Sequence, residues 1–204
     1  VVLIYNTKLV SPDKITGWSS LSDPIFRGRI AFADPAISGS SFTALATQIL
    51  AGKSMDKTLA TFAENLQGKT LSSSGDVLNA VVDGSCLVGI TLEETALKYI
   101  AAGADLAMVY PEEGTSCVPD ASAIVKGAPH SENAKKFLDF TVRYEVQQML
   151  SESSYRRPVR SDIPAGESLL PLQDIVLVDY DIDWACKNRD VILSDWLFYL
   201  KEAK

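Results

Sequence analysis

The chain opens on Val1-Val2-Leu3-Ile4-Tyr5-Asn6, a continuous apolar and β-branched run of the kind carried by a strand buried on both faces. No frayed residues precede it, so the pattern is that of a truncated start within a longer chain. After a polar loop with Pro12 and Gly17, Arg29 to Asp34 reads as a second strand that Pro35 ends. Helices are expected from about Ser41 to Leu50 and from about Met55 to Asn65, the second with Ser54 as its N-cap. Thr70-Leu71-Ser72 reads as a short strand, Ser73 or Ser74 caps a helix through Val82, and Asp83-Gly84 stops it. Leu87 to Ile90 is strand again. Thr91 and Glu94 stand at capping-box spacing before a helix to about Ala102. Leu106 to Tyr110 and then Ser122 to Lys126 complete the strand candidates before the turn at Gly127.

This β, α, β, α alternation predicts an α/β lobe with a mainly parallel sheet. From Ser131 the character changes to one long amphipathic helix reaching about Leu150, with Phe137, Leu138, Val142, Val146 and Met149 on its apolar face. Glu152 to Gln173 is rich in Ser, Arg and Pro, as a surface connection is. Asp190 to Glu202 places Val191, Ile192, Trp196, Tyr199 and Leu200 at helical spacing, an aromatic face that needs a surface to bury against.

Composition narrows the function classes. An apolar content of 47% over 204 residues is ample for a packed core. Nineteen Lys and Arg against 26 Asp and Glu give a net charge of −7, with no basic stripe for nucleic acid or anionic membrane surfaces. A small anionic ligand stays open, because backbone N–H groups at a helix end act locally. No apolar run has the length of a membrane span. Cys86, Cys117 and Cys186 show neither metal-ligand nor framework spacing, and they read as small buried apolar side chains, with one disulfide as the alternative. His130, the one histidine, precedes a helix start without companions for a metal or a catalytic pair. No nucleophile with a base and no phosphate-loop signature appears, so the expectation is a binding protein without cofactor or catalysis.

Several phrases carry a family likeness: VLIYNT at residues 2–7, the Trp18 to Gly28 stretch, IAFADPAISGSS at 30–41, GITLEETALKYIAAGAD at 89–105, VYPEEGTS at 109–116 and ENAKKFLDF at 132–140. With these phrases the sequence resembles bacterial extracellular solute-binding proteins of ABC importers, of the ferric-ion and 2-aminoethylphosphonate type. The resemblance implies a periplasmic-binding-protein-like bilobal α/β fold. In it, residues 1–6 and 108–114 are hinge strands, 7–107 form one complete ligand-binding lobe, and 115–204 supply the C-terminal part of the other lobe. Family chains carry a further segment before the VLIYNT phrase, and a dimer is one way to cover the lobe left partial here. The implied place is periplasmic or extracellular, with a lipid anchor as an option. The implied partners are ABC permease subunits and a small-molecule ligand, with the sensing domain of a membrane receptor as a further alternative.

Two serine clusters at helix starts are the leading ligand contacts. Ser38, Gly39, Ser40 and Ser41 offer N–H groups, hydroxyls and a positive helix end to an oxyanion, although the same residue types also make an ordinary N-cap. Ser72, Ser73 and Ser74 repeat that arrangement, and both clusters follow strand ends, where ligands sit in sheets of this class. Thr91 and Glu93 open the next helix, in the stretch where ferric relatives carry an adjacent tyrosine pair that this sequence lacks; Tyr110 and Glu93 offer only an improvised iron set. Thr115 follows the second hinge strand and is expected at the cleft floor, with a plain turn at Glu113-Gly114-Thr115 as the alternative. Arg156, Arg157 and Arg160 are expected either to meet an anionic ligand or to form surface ion pairs. The ligand expected is a small phosphonate or phosphorylated organic compound, with ferric iron as the alternative.

Overall fold

The computed structural model describes residues 1–203, and the chain divides into two compact units. The larger holds Val1–Cys117 together with the stretch from Ile175 onward, and the smaller holds Val118–Asp174.

The larger unit is built on four strands, β1 (Val2–Asn6), β2 (Ile30–Ala31), β3 (Val88–Thr91) and β4 (Leu106–Val109), in the order β2-β3-β1-β4. Alternate side chains leave opposite faces, so Leu3, Tyr5, Ile30 and Phe32 enter one core while Val2, Ile4, Ala31 and Ala33 enter another. On the second face the small residues let a helix approach closely. A Cβ on Gly89 would lie 2.9 Å from Val77 Cγ1 and 3.0 Å from Val81 Cγ2. These valines belong to α3 (Ser74–Val82), which shares that face with α4 (Glu93–Ala101). The first face carries α1 (Gly39–Gly52) and α2 (Met55–Leu66).

The sheet is mixed, where a mainly parallel one was expected: β2 and β3 run parallel, but β1 is antiparallel to both β3 and β4. Alternation of strands and helices along the chain does not by itself fix the direction in which two strands pair. Thr70-Leu71-Ser72 makes only an isolated bridge, Leu71 to Ala33. Ser54 holds the N-cap position of α2 without a side-chain cap bond.

In the smaller unit the expected single helix is two, α5 (Ser131–Thr141) and α6 (Tyr144–Ser154). The break follows the β-branched pair Thr141-Val142. There the Gln147 side chain donates to the Thr141 carbonyl at 2.8 Å and accepts from Val159 N–H at 3.0 Å, ending one helix and starting the next. Ser122 to Lys126 forms no strand; no neighbour among the described residues pairs with it.

The C-terminal helix, α7 (Ile182–Glu202), starts eight residues before the expected Asp190, capped by Asp181, whose carboxylate accepts from Trp184 N–H at 3.1 Å. It was expected with the other lobe as part of 115–204, yet it lies in the larger unit. Trp196 is the reason. Fully buried, it meets Phe32 and Phe62 at centroid distances of 5.9 and 5.7 Å, closing the core over α2. All three cysteines are free, and Cys117 and Cys186 are exposed rather than buried.

Candidate functional site

Three helices begin along one rim of the larger unit, and a small depression there is lined by Ser40, Ser41, Ala44, Ser74, Ile90 and Thr91 with Val1. The structure thereby brings together members of all three expected groups, from the starts of α1 and α3 and the end of β3. The three helix starts differ in how much of their positive end is already used.

At α1, Ser38 is the N-cap: its hydroxyl accepts from Ser41 N–H at 3.3 Å and lies 3.1 Å from the Ser40 hydroxyl. The amides of Gly39 and Ser40 donate to no group among the described residues, and the first turn carries no acidic side chain. Open space surrounds the missing Cβ of Gly39, so the backbone there is accessible. Ser41 and Thr91 are only 4% and 7% exposed as residues, and both line the depression.

At α3 the same residue types are turned inward. Ser73 accepts from Asp76 N–H at 3.3 Å, and Ser72 donates to Asp76 Oδ2 at 2.9 Å. The hydroxyls of Ser73 and Ser72 hold the Asp76 carboxyl below its ordinary value. The positive end of α3 therefore faces its own carboxylate, and Ser74 alone of this cluster lines the depression.

At α4 the expected capping box is absent. Thr91 pairs with Val2 as the last residue of β3, so the helix starts after Leu92, which makes no side-chain cap bond. The ladder claims the Thr91 backbone and leaves its hydroxyl at the rim. Glu93 accepts a hydrogen bond from the Tyr110 hydroxyl, joining two expected contacts into a half-buried pair at the start of α4.

Thr115 does not itself line the depression. It is 3% exposed, and its hydroxyl donates to the Val1 carbonyl at 2.5 Å. Glu113, expected in a plain turn, is an internal anion. Its carboxylate accepts from Trp18 N–H at 2.9 Å and Ser19 N–H at 2.8 Å, at the start of the 3₁₀ turn Trp18–Ser22. Burial pushes the Glu113 carboxyl up, but the Ser19 and Trp18 amides outweigh it and leave the group below its ordinary value. Gly17 makes room: a Cβ there would sit 1.8 Å from Glu113 Oε2. The visible signal was Gly17-Trp18-Ser19-Ser20, a helix start without an acid of its own.

In the smaller unit Arg156 pairs with Asp120, and Arg160 with Asp162 at 2.7 Å, all exposed. For Arg156 and Arg160 the structure shows surface ion pairing, one of the two roles expected.

Known proteins resemble this chain in sequence and fold. A putative 2-aminoethylphosphonate-binding periplasmic protein of Salmonella typhi is 28% identical over 80% of this chain and 50% of its own length. Iron uptake protein A1 of Synechocystis is 25% identical over 82% of this chain and 50% of its own. Among solved structures, the periplasmic binding protein AfuA from Actinobacillus pleuropneumoniae, with exogenous fructose-6-phosphate bound, matches at a TM-score of 0.86 and 26% identity, over 98% of this chain and 66% of that one. The chain thus spans about half the length of these curated relatives. The family described as bacterial extracellular solute-binding protein matches residues 1–182, and the chain belongs to that family.

Proposed function

We propose that the chain is the ligand-binding part of an extracytoplasmic solute-binding protein of an ABC importer, working outside the cytoplasmic membrane, and that its cargo is a small organic anion bearing a phosphonate or phosphate group. One observation carries the reading. The start of α1 offers two undonated amides and no acid in its first turn, beside a depression that Ser41, Ser74 and Thr91 line. Gly39 and Ser40 would donate N–H bonds to the oxyanion, Ser41 and Thr91 would donate O–H bonds, and Ser74 would reach it from the opposite rim. Hydrogen bonds to a charged group contribute about 1.5–3 kcal/mol each, so these contacts would supply a large share of the binding energy. Solute held between lobes stabilises the closed form, which the permease then meets. The names of the phosphonate- and sugar-phosphate-binding relatives support this cargo.

A second reading has one observation behind it: the Glu93–Tyr110 pair unites a carboxylate with a phenol, the oxygen donors that suit ferric iron. Against it, no group of three or more His, Cys, Asp or Glu side chains among the described residues is arranged to hold a metal. Titration calorimetry with 2-aminoethylphosphonate, fructose-6-phosphate, inorganic phosphate and ferric citrate separates the two. Heat from the phosphonate or sugar phosphate is expected; tight ferric binding with silence from every anion would overturn the proposal.

A further inference from the structure

Thr115 was expected at a cleft floor, and its surroundings point to a different task. Three stretches of chain run side by side around it, all within the larger unit: Val1, Gly114 to Cys117, and Ile175 to Val178. Thr115 N–H donates to the Val176 carbonyl at 2.9 Å, Val178 N–H donates to the Thr115 carbonyl at 2.9 Å, and the Thr115 hydroxyl donates to the Val1 carbonyl. Its bridge to Leu177 is parallel and isolated, so no wider ladder supports it. On one side Ser116 Oγ accepts from Thr47 Oγ1 at 2.7 Å, tying the next residue to α1. On the other, Gly114 has φ +112 and gives its carbonyl to Trp18 Nε1 at 2.8 Å. A Cβ on Gly114 would lie 3.0 Å from Val178 Cγ1, which keeps that turn narrow. Two residues beyond Thr115 the chain leaves the larger unit at Cys117, and it returns at Ile175.

We infer that Thr115 is a positioning residue that clasps the outgoing connection at Cys117 to the returning one at Ile175, and makes no contact with the solute. Both connections then leave the larger unit from one fixed point, and bending on any closure falls beyond Ser116 rather than at Gly114. The solute-binding reading enters only through the affinity arm of the test; the clasp stands or falls on the exchange arm.

The experiment compares the intact chain with Thr115→Val, which keeps the shape and removes the hydroxyl, and Thr115→Ser, which restores it. Amide hydrogen exchange is followed by mass spectrometry in peptides covering 112–118 and 174–179, with α1 and α2 as internal references. Thr115→Val is expected to raise exchange in both peptides together by about tenfold, with the reference helices unchanged and Thr115→Ser at the wild-type rate. Titration with 2-aminoethylphosphonate is expected to shift less than about twofold. Unchanged exchange in Thr115→Val, or a rise in one peptide only, overturns the clasp. So does a tenfold loss of affinity that Thr115→Ser repairs while exchange stays flat, because that is how a direct ligand contact behaves. A failure of the anion to bind any of the three proteins contradicts the proposed cargo and leaves the exchange result to decide on the clasp.

Discussion

The start of α1 and the start of the Trp18–Ser22 turn present the same chemistry to two different fates. Both are serine-rich helix starts without an acidic residue in the first turn, and both follow a glycine or contain one. At Trp18–Ser19 the amides hold a carboxylate from within the chain, that of Glu113. At Gly39–Ser40 no group of the described chain takes that place. On the proposed function, the filled site illustrates what the other would receive: an oxyanion seated against bare backbone where a glycine keeps the approach clear. The start of α3 is a third case, in which Asp76 already uses the positive end.

The largest expected effect breaks the filled site. In Gly17→Ala the new Cβ would overlap Glu113 Oε2, so the carboxylate must leave its amides, and a loss of about 3 kcal/mol is expected in urea unfolding. A change under about 0.5 kcal/mol would mean that Glu113 is not seated there. Glu113→Gln is milder, at about 1–2 kcal/mol, because one amide can still find an acceptor. It also alters the acid limb. The folded carboxyl lies below its ordinary value, so its contribution is present above the unfolded value near 4.3 and fades as pH falls through the folded value. Melting temperatures from pH 3 to 7 should therefore fall more steeply towards acid in the wild type than in Glu113→Gln; parallel curves would contradict the assignment.

At the open site the effect on stability is small. Thr91→Val keeps the shape and removes a hydroxyl at the depression, so stability is expected to change by less than about 0.5 kcal/mol. Anion affinity should drop about tenfold by calorimetry, corresponding to roughly 1.4 kcal/mol. Loss of stability with affinity intact would make Thr91 an ordinary core residue. Smallest of all is Ser72→Ala. Its hydroxyl serves Asp76, so affinity should change less than about twofold, and a larger loss would return the α3 cluster to the ligand.

Much of this was legible in residue order. The strands at Leu3–Asn6, Leu87–Ile90 and Leu106–Tyr110 and the helices after Ser40, Ser54 and Ser73 emerge from period and capping signals. These signals are local and strong. What escaped was set by partners distant in sequence. The antiparallel pairing of β1 is set by its partners β3 and β4, far along the chain, and the turn at Val142 depends on Gln147 reaching back to Thr141. Trp196 declared a need for burial but not its host, Phe32 and Phe62, more than a hundred residues earlier. In the site, residue type pointed equally to Ser40, Ser41, Ser72 and Ser73. Only Asp76, a carboxylate inside the same helix turn as Ser73, distinguishes the pairs, and that residue was readable in advance as a competitor for the helix end.

The comparison between the two helix starts can be tested in one measurement. Amide resonances of ¹⁵N-labelled protein followed through a titration with 2-aminoethylphosphonate should show Gly39, Ser40 and Ser41 shifting in a saturable way. Trp18 and Ser19, already occupied by Glu113, should stay in place. Saturable shifts at Trp18 and Ser19, or at the start of α3 with Gly39 to Ser41 silent, would contradict the assignment of the anion to α1.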